Sequence, residues 1–181
     1  MVSKSIIRGE ILENPEFSFM TKANEYYSIK VGTKRKSGVI DTIPVIVPRN
    51  IIDPNADYKG LRIMLEGQVQ TRRENKHLCL FIFTKNIQIY DTFDEEDINE
   101  INIQGLLKNK IIRKTFSNQD IAEIYILNKC YYYPCIAWNN NVEKFSNMKY
   151  NKKVNIIGRF QSREKDNLGN KVYEISIQKI K

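Results

Sequence analysis

Leu65-Glu66-Gly67-Gln68-Val69-Gln70-Thr71-Arg72 and Ile156-Ile157-Gly158-Arg159-Phe160-Gln161-Ser162-Arg163 are two versions of one phrase. Both set apolar and polar side chains around a glycine and close on arginine, with a dominant period of two, which is that of a half-buried β-strand. The match continues outward from this pair. Ile7-Arg8-Gly9-Glu10-Ile11 is answered by Ile103-Gln104-Gly105-Leu106-Leu107, and Asn86-Ile87-Gln88-Ile89 by Ser176-Ile177-Gln178-Lys179. The same phrases in the same order mark a duplicated small domain.

In the second copy the alternation predicts strands over 101–107, 122–129, 132–138, 153–163 and 171–180. Asn167-Leu168-Gly169-Asn170 is a turn signal joining the last two as a hairpin. Between the third and fourth strands, NNNVEKFSNMKY places Val142, Phe145 and Met148 at helical spacing, with asparagines ahead of them to cap the start. The first copy predicts strands over 5–12, 26–33, 41–48, 61–73 and 78–90. Its RNIIDPNADY contains Pro54 and leaves room for about a turn of helix. Five strands with a helix between the third and fourth is the order of the OB-fold. The expected fold is therefore all-β, with two tandem OB-fold five-stranded Greek-key barrels. The paired glycines (Gly9 with Gly105, Gly67 with Gly158) fit strands that must bend.

Composition agrees with a folded binding module. The 181 residues carry 29 Lys and Arg against 21 Asp and Glu, a net charge of +8, with 41% hydrophobic residues. Such a balance favours a polyanionic partner, nucleic acid before an anionic membrane surface. No apolar run spans a membrane and the N-terminus lacks an apolar signal core, so a cytoplasmic protein is expected. Residues 93–100, FDEEDINE, hold five acids and no base, so they read as an acidic linker between domain 1 (1–92) and domain 2 (101–181). A solvated hinge is the plainer reading of this segment; the other lays its carboxylates in a groove, in competition with nucleic acid. Cys79, Cys130, Cys135 and the single His77 have no zinc-site spacing. No phosphate loop, HExxH or GxSxG is present, and no cofactor is expected. The reading is of a non-enzymatic protein.

Within the second copy, Tyr133-Pro134-Cys135-Ile136-Ala137-Trp138, the helix-like patch, Lys153 to Arg163 and the Asn167-Leu168-Gly169-Asn170-Lys171-Val172-Tyr173-Glu174 hairpin together resemble bacterial single-stranded-DNA-binding proteins. The likeness covers about 50 consecutive residues in that copy. The first copy shares mainly Glu66 to Arg72 and the strand order. The resemblance implies an OB-fold groove for single-stranded DNA without strong sequence preference, acting in replication, repair, recombination or mobile-element transfer. Family members usually assemble four OB-folds, so two per chain imply a homodimer, with replication or recombination proteins as further partners. The family usually also ends in an acidic, phenylalanine-tipped tail, whereas this sequence closes on Ile177-Gln178-Lys179-Ile180-Lys181, so recruitment through such a tail is not expected.

Candidate site residues follow from position and from the needs of a single strand: aromatic faces for bases and cations for phosphates. Trp138 stands where the family has a stacking aromatic, and Tyr132 shares its strand face. Both have a bland reading as packed aromatics. Tyr131, Tyr132 and Tyr133 cannot all face one side, so at least one is structural, and Phe160 and Tyr173 have core parity. Arg159 is the foremost phosphate candidate. Arg163, Lys165 and Lys171, with Arg72 and Arg73 in the first copy, flank the hairpins. Lys129 precedes the third strand, and Lys34-Arg35-Lys36 form a turn that could close over a bound strand or simply be solvated. Two departures stand out: Lys165 takes a place often aromatic in the family, and the first copy has Thr42 and Pro48 where the second has Tyr132 and Trp138. The first copy's face should stack poorly unless Tyr26, Tyr27 or Phe83 substitutes. A protein-interaction module of a primosome-like assembly and a single-stranded RNA binder are the alternatives.

Overall fold

The computed structural model describes residues 3–74, 77–91, 95–115, 117–164 and 171–181. The first copy supplies β1 (Ser3–Ile11), β2 (Glu16–Met20), β3 (Glu25–Lys34), β4 (Ile40–Pro48), β5 (Arg62–Glu74) and β6 (His77–Tyr90). The second supplies β7 (Ile98–Lys114), β8 (Asp120–Asn128), β9 (Tyr131–Trp138), helix α1 (Asn140–Ser146), β10 (Lys153–Glu164) and β11 (Lys171–Ile180). Two compact units result. One is Lys4–Gln70 with Leu80–Asn99; the other gathers Glu100–Lys181 with the short pieces Thr71–Cys79 and Ser3.

Each copy closes its strands into a ring in the same order. In the first copy β1, β5, β6, β4 and β3 follow one another and β3 returns to β1, with β2 added outside β3. In the second copy the order is β7, β10, β11, β9 and β8, with β8 returning to β7. Third and fifth strands run parallel in both, Val45 beside Ile82 and Ile175 beside Cys135. This is the all-β OB-fold.

Alternation decides what each ring encloses. Ile43, Val45 and Val47 of β4 are fully buried, as are Ile156 and Phe160 of β10 and Ile175 of β11. On β9, Tyr133, Cys135 and Ala137 are 1%, 4% and 0% exposed, so Tyr133 is the structural member of the tyrosine run. Phe160 lies in the core, with the half-buried Tyr173 ring 5.9 Å from its own.

The helix forms where the spacing predicts, with Val142 and Phe145 buried, but it is held from its other end. Asn139 occupies the N-cap at φ 50° and ψ −123° and makes no side-chain cap bond, because the cap geometry needs an extended backbone there. At the C-terminal end, Lys110 Nζ donates to the carbonyls of Phe145, Ser146 and Met148 at 2.9, 2.5 and 2.7 Å. A cation there satisfies orphan carbonyls and opposes the helix dipole. In the first copy the equivalent segment makes a 3-10 turn, Arg49–Ile51.

Two elements exceed the sequence expectation. β7 runs to Lys114 rather than stopping near 107, through a register shift between Leu107 and Asn109 that lets it change partner from β10 to β8. β2 is the other; its five residues pair with β3 across a second shift, between Phe17 and Phe19. The Asn167–Asn170 turn lies outside the described residues, although β10 and β11 pair down to Glu164 with Lys171. Among the described residues no helix is long and apolar enough to cross a membrane.

The repeated glycines mark close approach. A Cβ on Gly67 would stand 2.5 Å from the Phe83 carbonyl oxygen, and one on Gly158 the same distance from that of Ser176. Backbone atoms cannot move aside as a flexible side chain can. Gly67→Ala and Gly158→Ala are each expected to cost about 1–3 kcal/mol, the usual range for overpacking, read as a lower urea midpoint. Burial also raises the Cys135 thiol far above its ordinary range, while Cys130 is exposed. In the native protein at pH 8 (about the ordinary thiol pKa), iodoacetamide should alkylate Cys130 and leave Cys135 intact until denaturant is added.

Candidate nucleic-acid interface

The second barrel places aromatic and polar side chains on the outer side of β8 to β11, with the buried Ile136 and Ser176 between them. Opposite the buried set of β9 stand Tyr132, Pro134, Ile136 and Trp138; Tyr132 is 46% exposed and Trp138 half-buried. β8 pairs Leu127 with Tyr132, Tyr125 with Pro134 and Glu123 with Ile136. Directly paired residues share a face, so the exposed Tyr125 joins the two β9 aromatics. On the far side of β9, Ser176 of β11 pairs with Ile136 and Arg159 of β10 pairs with Ser176. Arg159 therefore lies at the level of Ile136, on the Trp138 face, with only β11 between.

Charge on this face is partly committed. Arg159 donates to Gln161 Oε1 at 3.3 Å, and Gln161 donates to Glu174 Oε1 at 3.3 Å. Arg163, expected as a phosphate contact, is ion-paired with the same Glu174 oxygen at 3.2 Å. Arg113 pairs with Glu123. Burial raises the Glu174 carboxyl above its usual range and the Glu123 charge adds to this, while the Arg163 guanidinium and, more weakly, Arg113 pull it down. Lys171 is exposed at the start of β11, and Lys129 is exposed at φ 55° in the β8–β9 turn. Lys165 lies outside the described residues.

The first barrel shares out its expected residues differently. Lys34 and Lys36 are exposed, but Arg35 turns inward. Its Nε and Nη2 grip the two oxygens of Asp41 at 2.7 and 2.5 Å, and Asp41 is fully buried. A bidentate pair on a buried carboxylate is a structural commitment, so the Arg35 guanidinium is engaged within the barrel. Arg72 and Arg73 are exposed near the end of β5.

Thr42 and Pro48 present no aromatic plane, yet this barrel does have one. Phe19 stacks on Tyr26 with ring centroids 4.7 Å apart and planes 22° apart, and Tyr26 meets Phe83 at 5.5 Å. Tyr26 pairs with Pro48, and Phe83 with Ile46. The sequence offers Tyr26 and Phe83 for such a plane; Phe19 joins them through β2, which lies outside the five predicted strands. The alternation in Glu16-Phe17-Ser18-Phe19-Met20 is the signal that would have found it.

Among the described residues of the acidic segment, Glu95 to Asp97 bond to side chains and backbone of the first copy. Asp97 Oδ1 is bound by Arg62 at 2.5 Å and Asp97 Oδ2 accepts from the Lys34 backbone N–H at 2.6 Å. Arg8 pairs with Glu95, and its Nε donates to the Glu96 carbonyl at 2.6 Å.

No protein-family model matches the chain, and no curated protein matches it in sequence. Solved structures do. The single-stranded-DNA-binding protein of Thermus aquaticus aligns with 99% of this chain and 92% of its own, with a TM-score of 0.76 at 12% identity. A deletion variant of it aligns with 99% and 93%, with a TM-score of 0.77, also at 12% identity. The fold is that of a bacterial single-stranded-DNA-binding protein. The likeness to the Thermus protein runs along both copies, so it covers the first, where the sequence resemblance is thin. Among the described residues no group of three or more His, Cys, Asp or Glu is placed to hold a metal ion.

The raised Glu174 pKa has a definite sign. The folded state takes this proton before the unfolded chain does, so Glu174 costs stability at neutral pH, and the cost fades as pH falls through its folded pKa. Glu174→Gln should raise the urea midpoint at about pH 7, with the gap to the parent protein narrowing as pH falls and closing in the ordinary carboxyl range, about pH 4. An unchanged gap would show that the Arg163 pairing fully offsets the burial.

Proposed function

We propose that the protein binds single-stranded DNA without strong sequence preference, with the outer face of β8 to β11 as its principal contact. The observation that carries this is the placement of Tyr132, Tyr125, Trp138 and Arg159 on one face of the second barrel. Aromatic faces accept unstacked bases of any identity, at about 1–3 kcal/mol each, while cations follow the backbone. Lys129, just before β9, and Lys171, the first residue of β11, supply charge at the shared starting end of these parallel strands. The fold shared with the Thermus protein supports the same reading, as does the net charge of +8. On this reading the role is non-enzymatic and serves replication, repair, recombination or mobile-element transfer. The working form is a homodimer, and replication or recombination proteins are its further partners.

Trp138 is the single tryptophan and so reports on its own surroundings. Titration with oligo-dT should quench its fluorescence, and the affinity should fall with salt by about 0.7 in log–log slope for each phosphate neutralised. Trp138→Ala should weaken binding by about 5- to 150-fold, the equivalent of one lost stack. Absence of both quenching and a gel shift at low salt would reject the proposal. Equal competition by a matched RNA would widen the ligand to single strands of either kind.

A further inference from the structure

We infer that the segment Glu95–Asp97 is a built-in occupant of a phosphate site on the first barrel, and that a DNA strand gains this site by displacing the chain's own carboxylates. The inference rests on the single-strand reading above but concerns a different barrel and different residues.

The site is a cavity of about 690 Å³ lined by Lys34, Lys36 and Arg62 with Glu10 beside them, and by the segment Glu95–Asp97 itself. What holds the segment there is the donor set that nucleic-acid phosphates use, a guanidinium together with a backbone N–H. Arg62 and the Lys34 N–H converge on the Asp97 carboxylate at 2.5 and 2.6 Å. Arg62 Nη2 also donates to the Glu95 carbonyl at 3.2 Å, and Arg8 takes the Glu95 carboxylate and the Glu96 carbonyl. Asn99 Nδ2 ties the end of the segment to Thr33 Oγ1 at 3.0 Å. All these partners lie within one compact unit.

Lys34 and Lys36 carry the argument from occupancy to exchange. Both line the cavity with exposed side chains, and among the described residues neither ammonium meets a carboxylate. A purely structural clasp would have no use for two further cations at its mouth; a polyanion would engage them first. The clasp is also graded. Glu95 is 58% exposed, so its pairing with Arg8 is weak and screened by salt. Asp97 and Arg62 are only 15% and 9% exposed. An incoming strand would thus meet Lys34 and Lys36, displace Glu95 from Arg8, and contest Asp97 last.

The test uses the full chain with Glu95→Gln and Glu96→Gln together, which leaves the Asp97–Arg62 pair in place so that the more deeply buried guanidinium keeps its carboxylate. A second variant adds Asp97→Asn. Oligo-dT affinity is measured against salt, and acetylation of Lys34 and Lys36 is mapped by mass spectrometry with and without DNA. The double variant should bind several-fold more tightly, with a salt slope steeper by about 0.7 for the freed Arg8 contact, and DNA should protect Lys34 and Lys36 more strongly than in the parent. The triple variant, if it melts cooperatively, should steepen the slope again; if it unfolds, the double variant decides. DNA binding by parent and double variant with the same affinity and slope, and with both lysines equally acetylated with and without DNA, would overturn the inference and leave the single-strand reading standing. No binding by either folded protein would overturn both.

Discussion

Each barrel depends on one strand hydrogen-bonding along both of its edges. β1 gives Ser5–Glu10 to β5 and then Glu10–Ile11 to β3; β7 gives Ile101–Leu106 to β10 and Leu106–Lys114 to β8. Without that change of partner the sheet stays open and its inner face cannot bury both ends of the apolar alternation. The close approaches at Gly9 and Gly105 fall on these same strands, against the carbonyls of Gly32 and Leu127. Closure is thus a steric condition written at a few glycines, and the apolar core fills what closure encloses.

Closure also sorts the remaining residues. Once Tyr133, Cys135 and Ala137 point inward, Tyr132 and Trp138 have no choice but the outer face. Cations are then divided by what stands opposite them. Arg35 meets the buried Asp41, Arg163 meets Glu174, and Arg62 meets Asp97. Lys34, Lys36 and Lys129 remain in solvent. A count of basic residues therefore overstates the charge available to a polyanion, because a guanidinium pairs with carboxylates in fixed geometry while an ammonium on a flexible stem stays hydrated.

The sequence made the all-β OB-fold legible, because a duplicated pattern of period two with glycines at matching places leaves few alternatives. It also made the parity of β9 legible, and with it the separation of Tyr132 and Trp138 from Tyr133. What it hid were the long-range pairings. Nothing local says that Arg35 will find Asp41 rather than solvent, or that Asp97 will return to Arg62. Extensions across register shifts were hidden too. Ile111 and Ile112 break the alternation that would have announced the far end of β7, and both are exposed. The asparagine cap failed for a backbone reason, the positive φ at Asn139, which composition does not encode.

Ring closure has a further consequence at β2, which lies outside the ring and, among the described residues, pairs with β3 alone and so ends the sheet. Such an edge is a template on which another chain can add a strand and begin to aggregate. Here it is only five residues long, starts on Glu16 and is kinked by the shift between Phe17 and Phe19. Phe17 and Met20 are 58% and 66% exposed on it. Brevity, a charge and an irregular register each make so apolar a strand a poorer template for strand addition.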